Sequence, residues 1–237
     1  MKVLRWAFRI IIGFFILSLI GLAMVLALTY RAEPLALQVL DQPHTQRVGS
    51  LIVMEPDEAV MNLVFYQGGL VQTEAYLVFL EGLREAGVRV FIPRMPLNLA
   101  ILNRHAIEAI YRDYPSDLPW VAMGHSLGGA TLSFVADARL EALILIASYP
   151  ASSEDLSEGP FKVLSITASN DEILNWDQFQ ETRVLLPDDT VFIEIEGGNH
   201  ANFAHYGAQR GDGDPTISKE TQMTQTIEHI LRFLEID

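Results

Sequence analysis

The strongest signal in this chain is the stretch Trp120-Val121-Ala122-Met123-Gly124-His125-Ser126-Leu127-Gly128-Gly129-Ala130. It predicts a buried strand, a sharp turn at Ser126 and a helix that begins with small residues. Gly124 to Gly128 match the pattern G-x-S-x-G, in which a serine on a strained strand-to-helix turn exposes its Oγ as a nucleophile. Glycines on both sides let strand and helix approach closely, because a Cβ atom there would clash. The N–H of Leu127 then points to where an oxyanion would form.

The first part of the chain predicts a membrane helix. Residues 10–29 carry no charge and are nearly all apolar, and about 20 such residues span a bilayer. Basic residues flank this run at Lys2, Arg5, Arg9 and Arg31. The positive-inside rule therefore predicts a cytoplasmic N-terminus and an extracytoplasmic remainder. The alternative is secretion after cleavage of a signal peptide, whose apolar region is normally shorter, at about 7–15 residues.

Length and charge limit the number of domains and the kinds of partner. We expect an anchor at 1–31, a linker at 32–47 and one domain at 48–237, which is long enough to bury a sizeable core. The chain has 16 basic and 30 acidic residues, and four of the basic ones precede residue 32, so the rest carries about 18 negative charges. Such a charge argues against nucleic acid or an anionic lipid surface as a partner of the domain. The absence of cysteine excludes disulfides, thiolate zinc sites and cysteine catalysis.

Apolar runs alternate with helical patterns along the rest of the chain. Strands are predicted at 50–54, 60–66, 88–92, 120–123, 141–147, 162–167 and 190–195. Helices are predicted from Thr73 to Gly87, at 99–111, after the serine turn, at 176–184 and from a cap at Ser218. This order predicts an α/β fold, with a mostly parallel sheet covered by helices on both faces.

A nucleophilic serine needs a base, and histidine is the usual one. In a parallel sheet the partner side chains are expected just past the carboxyl ends of strands. Of the six histidines, His200 directly follows the last predicted strand, on a glycine-rich loop. His205, in the same loop, is the rival.

The base in turn needs an acid that orients it. Asp171 follows the strand at 162–167, and the alternatives are its neighbour Glu172 and the preceding Glu154 and Asp155. The order Ser126, Asp171, His200 matches one known arrangement of a Ser-His-Asp triad.

Two loops are predicted to complete the site. Glycines in Gln67-Gly68-Gly69-Leu70 favour a second oxyanion donor at Gly69 or Leu70, beside Leu127. The long loop at 197–215 is expected to wall the pocket, and the candidate substrate contacts are His125, Phe203, His205 and Tyr206. The segment at 211–214 lacks the ligand pattern of a calcium loop and is interpreted as a turn. No metal or cofactor is expected.

On these residues the chain resembles the α/β-hydrolase superfamily over about 48–237, and is most similar to small, cap-poor hydrolases related to dienelactone hydrolase. The resemblance is carried by Gly124 to Gly129, Asp171, His200 and the pair Gly68-Gly69. It implies an α/β-hydrolase fold with Ser126 as nucleophile, Asp171 as acid and His200 as general base. It also implies Leu127 with Gly69 or Leu70 as oxyanion donors. Tyr66-Gln67 stands where the family's H-G-G-G pattern begins with histidine, and residues 141–162 leave no room for a large lid.

The expected activity is that of a membrane-anchored serine hydrolase. It would cleave a small-molecule ester, or less readily a lactone or amide, through an acyl-enzyme. Two alternatives stay open at this point. The same residues serve acyl transfer to an alcohol or amine, and the fold also supports a non-catalytic binding module.

Overall fold

The computed structural model describes residues 2–236 and contains one eight-stranded sheet. The strands are β1 (Thr45–Val48), β2 (Leu51–Met54), β3 (Met61–Tyr66), β4 (Val88–Pro93), β5 (Trp120–His125), β6 (Leu140–Ile146), β7 (Lys162–Ala168) and β8 (Val191–Ile195). The α-helices are α1 (Lys2–Leu28), α2 (Pro34–Gln38), α3 (Leu77–Glu85), α4 (Ala106–Asp113), α5 (Leu127–Leu132), α6 (Trp176–Thr182) and α7 (Lys219–Phe233). Short 3-10 helices cover Val39–Asp41, Thr73–Tyr76, Pro96–Asn98, Ala100–Asn103, Arg183–Leu185 and Ala201–Phe203.

The sheet is mostly parallel, as predicted. Its order is β1-β2-β4-β3-β5-β6-β7-β8, and only the pairs β1–β2 and β2–β4 are antiparallel. The carboxyl ends of β3, β5, β6, β7 and β8 therefore lie at one edge. Side chains that follow these strands converge there, although they are far apart in sequence.

Two hydrophobic clusters cover the two faces of the sheet. On β3, Leu63 and Phe65 face the cluster that includes α3 and α7, and Val64 and Tyr66 face the cluster that includes α4. Every residue of β3 and β5 is buried. Burial on both faces explains why these strands are continuous apolar runs rather than alternating ones.

The segment before the sheet differs from the predicted linker at 32–47. It forms α2 and a 3-10 helix, buries Ala36 completely and ends in β1, a strand that the sequence did not predict. Gly49, with a φ of +62°, makes the tight turn that pairs β1 with β2. Because β1 is a short edge strand with a mostly polar sequence, it carries little hydrophobic pattern.

Two predicted helices also differ in detail. The helix expected at 99–111 is divided into a 3-10 helix at Ala100–Asn103 and α4. The helix expected from Thr73 to Gly87 begins as a 3-10 helix at Thr73–Tyr76, which precedes α3. Ser218, in contrast, caps α7 as predicted, since its Oγ accepts a hydrogen bond of 3.1 Å from Thr221 N.

The N-terminal helix α1 contains a 20-residue segment, Arg9–Leu28, with a mean hydropathy of 2.9 and none of it buried against the rest of the chain. By length and composition it is able to cross a membrane, a test that a signal sequence near an N-terminus also passes.

Candidate active site

Ser126 lies on a strained turn between β5 and α5. Its φ of 52° and ψ of −122° are unusual for a residue with a side chain. Two contacts hold the turn: Ser126 N donates to Ile146 O at 2.9 Å, and Ser148 Oγ donates to Ser126 O at 2.7 Å. The strain presents the Ser126 side chain beyond the end of the strand.

The glycines around Ser126 are required by close backbone contacts. A Cβ atom on Gly124 would lie 2.4 Å from Gly129 N, and one on Gly128 would lie 2.1 Å from Tyr66 O. Both distances are shorter than atoms tolerate, and both involve backbone that cannot rotate away. The close approach that the sequence predicts at this turn is therefore present, and it places α5 against the end of β3.

A buried hydrogen bond joins two of the predicted site residues. His200 Nδ1 lies 2.7 Å from Asp171 Oδ2. The other carboxylate oxygen, Asp171 Oδ1, accepts hydrogen bonds of 2.8 Å from both Ile173 N and Leu174 N. Because an ionised carboxylate only accepts, His200 Nδ1 carries the proton of the shared bond. Of the acids considered, Asp171 is thus the one that contacts His200.

Ser126 and His200 border one cavity of about 260 Å³ at the carboxyl-end edge of the sheet. Its wall consists of Ser126, Leu127, Ala130, Ala147, Ser148, Tyr149, Ile173, Leu174, Asn175 and His200. The wall residues at 147–149 and 173–175 were not predicted from the sequence. They follow β6 and β7, so the strand-end rule that located Asp171 and His200 could have found them had it been applied to uncharged residues.

The four predicted substrate contacts lie elsewhere. His125, Phe203, His205 and Tyr206 are all buried and do not line this cavity, so the loop at 197–215 contributes only His200 to its wall. The rings of His125 and Phe203 pack behind the site instead, with that of His125 4.6 Å from the His200 ring and 5.7 Å from the Phe203 ring. The prediction failed because sequence position did not indicate which way these side chains face.

His125 is a neutral packing residue. Its Nδ1 lies 2.8 Å from Tyr76 Oη. Burial lowers the pKa of His125 well below its usual 6.5, and the nearby His200 lowers it further. A positive charge on this ring would be neither solvated nor paired.

The burial of His125 is expected to make the free energy of unfolding depend on pH. The unfolded chain takes up a proton on His125 near pH 6.5, whereas the folded protein does not, so the free energy of unfolding falls as the pH drops below about 6.5. Between pH 7.5 and 5.5 this group alone removes on the order of 1 kcal/mol. We expect urea unfolding of the full chain in detergent to show this fall in the free energy of unfolding. In His125→Gln the contribution of His125 to the fall should be absent. The exposed His105→Gln is the matched control, and an equal loss in all three proteins would contradict the prediction.

Backbone N–H groups near Ser126 narrow the choice of oxyanion donors. Leu70 N donates to Asn98 O at 2.8 Å, so Leu70 is wrong as a candidate. The N–H groups of Gly69 and Leu127, in contrast, donate no hydrogen bond to any of the described residues. A Cβ atom on Gly69 would lie 3.1 Å from Leu127 Cδ2, which places these two residues side by side. Of the predicted donors, Gly69 and Leu127 are thus the adjacent two whose N–H groups make no other hydrogen bond.

Asp212 holds the backbone of the His200 loop. Its carboxylate accepts hydrogen bonds from Ala201 N at 2.8 Å, Gly213 N at 2.9 Å and His200 N at 3.3 Å. The acidic segment at 211–214 is therefore an internal brace, a role that the sequence did not indicate. Within the part of the chain that the structure describes, no cluster of three or more His, Cys, Asp or Glu side chains is arranged to hold a metal ion.

Comparison with known proteins fits this architecture. A model of the alpha/beta hydrolase family matches residues 62–224, which is more than half of the chain. The chain belongs to this family. No curated protein sequence matches the hydrolase significantly. The dienelactone-hydrolase-like subtype stays a prediction.

Solved structures share the fold of this alpha/beta hydrolase at low sequence identity. TT1662 from Thermus thermophilus is 15% identical, with a TM-score of 0.60 over 81% of this chain and 98% of that chain. Est1E from Butyrivibrio proteoclasticus is 14% identical, with a TM-score of 0.58 over 81% of this chain and 98% of that chain. MenH from S. aureus is 14% identical, with a TM-score of 0.60 over 79% of this chain and 98% of that chain. Identities this low establish the fold alone.

Proposed function

We propose that this alpha/beta hydrolase cleaves a carboxylic ester through an acyl-enzyme on Ser126, with His200 as general base and Asp171 as the acid that orients it. The observation that carries the proposal is the buried pair of His200 Nδ1 and Asp171 Oδ2, 2.7 Å apart, beside a cavity that Ser126 borders on a strained turn. Such a pair fixes the tautomer of the ring, so that its other nitrogen is unprotonated and able to accept a proton.

The reaction follows from these positions. Ser126 Oγ attacks the ester carbon while His200 Nε2 takes its proton, and Asp171 stabilises the imidazolium that forms. The carbonyl electrons move to the oxygen, which accepts hydrogen bonds from Leu127 N and Gly69 N. When the carbonyl re-forms, the bond to the leaving alcohol breaks and His200 returns the proton to it. Water then repeats the sequence on the acyl-enzyme and releases the acid. These steps use only side chains and backbone groups of the chain.

The cavity favours an uncharged, apolar acyl group. Apart from His200, its wall contains no acidic or basic side chain, and Leu127, Ile173 and Leu174 give it an aliphatic surface. Between β6 and β7 the chain forms no helix, so this segment provides no helical lid.

We also propose that α1 anchors the enzyme in a membrane with the hydrolase domain outside the cytoplasm. An apolar helix with none of its 20-residue core segment buried against the protein needs a non-aqueous environment or removal from the chain. Three basic residues (Lys2, Arg5 and Arg9) precede the apolar run at 10–29 and only Arg31 follows it closely, a distribution that under the positive-inside rule favours this orientation. Residues that follow α1 directly are packed into the folded domain, which supports retention of this part of the chain.

One labelling experiment tests both whether Ser126 is an activated nucleophile and on which side of the membrane it lies. We expect a membrane-impermeant fluorophosphonate to label the full chain in intact cells, because the base activates the serine and the site faces outward. Ser126→Ala should not be labelled, and the exposed control His105→Ala should be labelled like the wild type. Labelling only after permeabilisation would place the site in the cytoplasm. No labelling of the folded protein under either condition would favour a non-catalytic binding module.

A further inference from the structure

The end of the N-terminal helix is attached directly to the site loops. Tyr30 N donates to Leu70 O at 2.8 Å, and Gln72 N donates to Tyr30 O at 3.0 Å. Only Thr29 separates Tyr30 from the last residue of α1, so the helix end lies within about 7 Å of this contact. The chain therefore leaves α1 beside the loop that carries Gly69.

The same segment also contacts the loop that carries His200. Tyr30 Oη accepts a hydrogen bond of 3.2 Å from Arg210 N. Glu33 N donates to His205 O at 2.8 Å, and Glu33 Oε2 lies 3.0 Å from His205 Nδ1. Residues 30–33 thus bridge the loops after β3 and β8 without a free linker. As a result, the edge of the sheet where the cavity opens is held close to the end of α1.

An apolar surface adjoins this attachment point. Leu70 N donates to Asn98 O at 2.8 Å, which joins the Gly69 loop to the segment at 96–103. In this segment Leu97, Ile101 and Leu102 are 42%, 40% and 53% exposed, and we call these three residues the 97–102 surface. Single exposed apolar residues are ordinary, but three large ones within six positions favour a contact that removes them from water.

The charge around the 97–102 surface differs from that of the domain. Residues 86–107 contain three arginines and no Asp or Glu, in a domain that otherwise carries a large negative charge. Arg94 and Arg104 flank the surface, and Arg94 also lies 3.4 Å from Glu74. Aliphatic side chains flanked by arginine are typical of segments that lie in the headgroup region of a bilayer.

The segment that carries the 97–102 surface also packs against a helix that lines the cavity. The 3-10 helix at Ala100–Asn103 packs against α5, and Leu127 and Ala130 of α5 line the cavity. The segment that carries the surface is therefore in contact both with the loop that binds the end of α1 and with the helix that lines the cavity.

We propose that the 97–102 surface rests in the headgroup layer of the bilayer that α1 enters, and that the enzyme takes its substrate, an amphiphilic ester with an acyl chain in the lipid, from that layer. This inference rests on the proposed function, since it assumes a hydrolase that is anchored by α1. Leu97, Ile101 and Leu102 contact lipid, and the acyl chain enters the cavity from that layer.

The test compares two esters on the full chain in phosphatidylcholine vesicles. One is the dissolved p-nitrophenyl butyrate and the other is p-nitrophenyl palmitate incorporated in the vesicles. We expect Leu97→Ser/Ile101→Ser/Leu102→Ser to keep the butyrate rate within about twofold and to lose about tenfold or more of the palmitate rate. The control Val60→Ser/Val184→Ser/Val191→Ser changes residues that are 48%, 77% and 40% exposed, and should alter neither rate. An unchanged palmitate-to-butyrate ratio would overturn the inference.

Two further results separate this inference from the proposed function. A wild type that hydrolyses butyrate but not vesicle-borne palmitate overturns the inference and leaves the esterase proposal standing. A wild type that hydrolyses neither ester and resists the fluorophosphonate overturns both. A second measurement does not depend on the triple variant folding: fluorescence of Leu102→Trp should be quenched by brominated phosphatidylcholine more strongly than that of Val60→Trp. Equal quenching of the two would place the 97–102 surface away from the bilayer.

Discussion

Asp171→Asn is expected to lower kcat/KM for an ester by about 10⁴-fold while leaving the fold intact. The amide keeps an oxygen that accepts from Ile173 N and Leu174 N, as Asp171 Oδ1 does at 2.8 Å. Its NH₂ group, however, then faces His200 Nδ1 in place of Asp171 Oδ2. A donor there favours the tautomer with the proton on Nε2, so that His200 is unable to accept the proton of Ser126.

The matched control is the neighbouring residue. Glu172 is exposed and lies outside the cavity wall, so Glu172→Gln should change kcat/KM by less than about twofold. The measurement is the steady-state rate with p-nitrophenyl butyrate, with circular dichroism to confirm folding. A loss below about tenfold in Asp171→Asn would mean that another group orients His200 or that His200 is not the base.

The central strands were predictable because of where they lie. β3, β5, β6 and β7 are covered on both faces, so each is a continuous apolar run that a short window detects. β1 lacks this signal, because it is a short edge strand whose last three residues are exposed. Its position depends on pairing with β2, which is a tertiary contact rather than a local pattern.

The candidate site was predictable only in part, because a residue's position in the chain does not give the direction of its side chain. The G-x-S-x-G pattern located Ser126, and the strand-end rule located Asp171 and His200, because the order of the strands determines which residues reach that edge of the sheet. It did not indicate the direction of a side chain, so His125 and Phe203 were expected in the cavity although they pack behind His200.

Hydrogen bonds between distant segments could not be predicted from the sequence either. Leu70 N is occupied by Asn98 O, which lies 28 positions away, and no local pattern predicts this contact. The brace at Asp212 is a second case, because an Asp between glycines is typical of an exposed turn. In both cases the deciding information is the packing of one loop on another.

Gly128→Ala is expected to cost about 3 kcal/mol or more of unfolding free energy, because the added methyl group meets only backbone. Its Cβ would lie 2.1 Å from Tyr66 O and 2.7 Å from Gln67 O. Relief of this clash requires α5 to move away from the end of β3, which separates Leu127 from Gly69. We therefore expect any folded fraction to lose most of its esterase activity, since the two proposed oxyanion donors no longer converge.

Gly82→Ala is the matched control for Gly128→Ala, because it adds the same methyl group beside a movable neighbour. Its Cβ would lie 2.6 Å from Ile227 Cδ1, the flexible end of a side chain that can change rotamer. Alanine also favours the helix in which Gly82 lies, so the net change should stay within about 1 kcal/mol. Urea unfolding of both variants in detergent, followed by tryptophan fluorescence, measures the difference. Equal midpoints would mean that α5 and β3 tolerate separation, and the site would then not depend on their close contact.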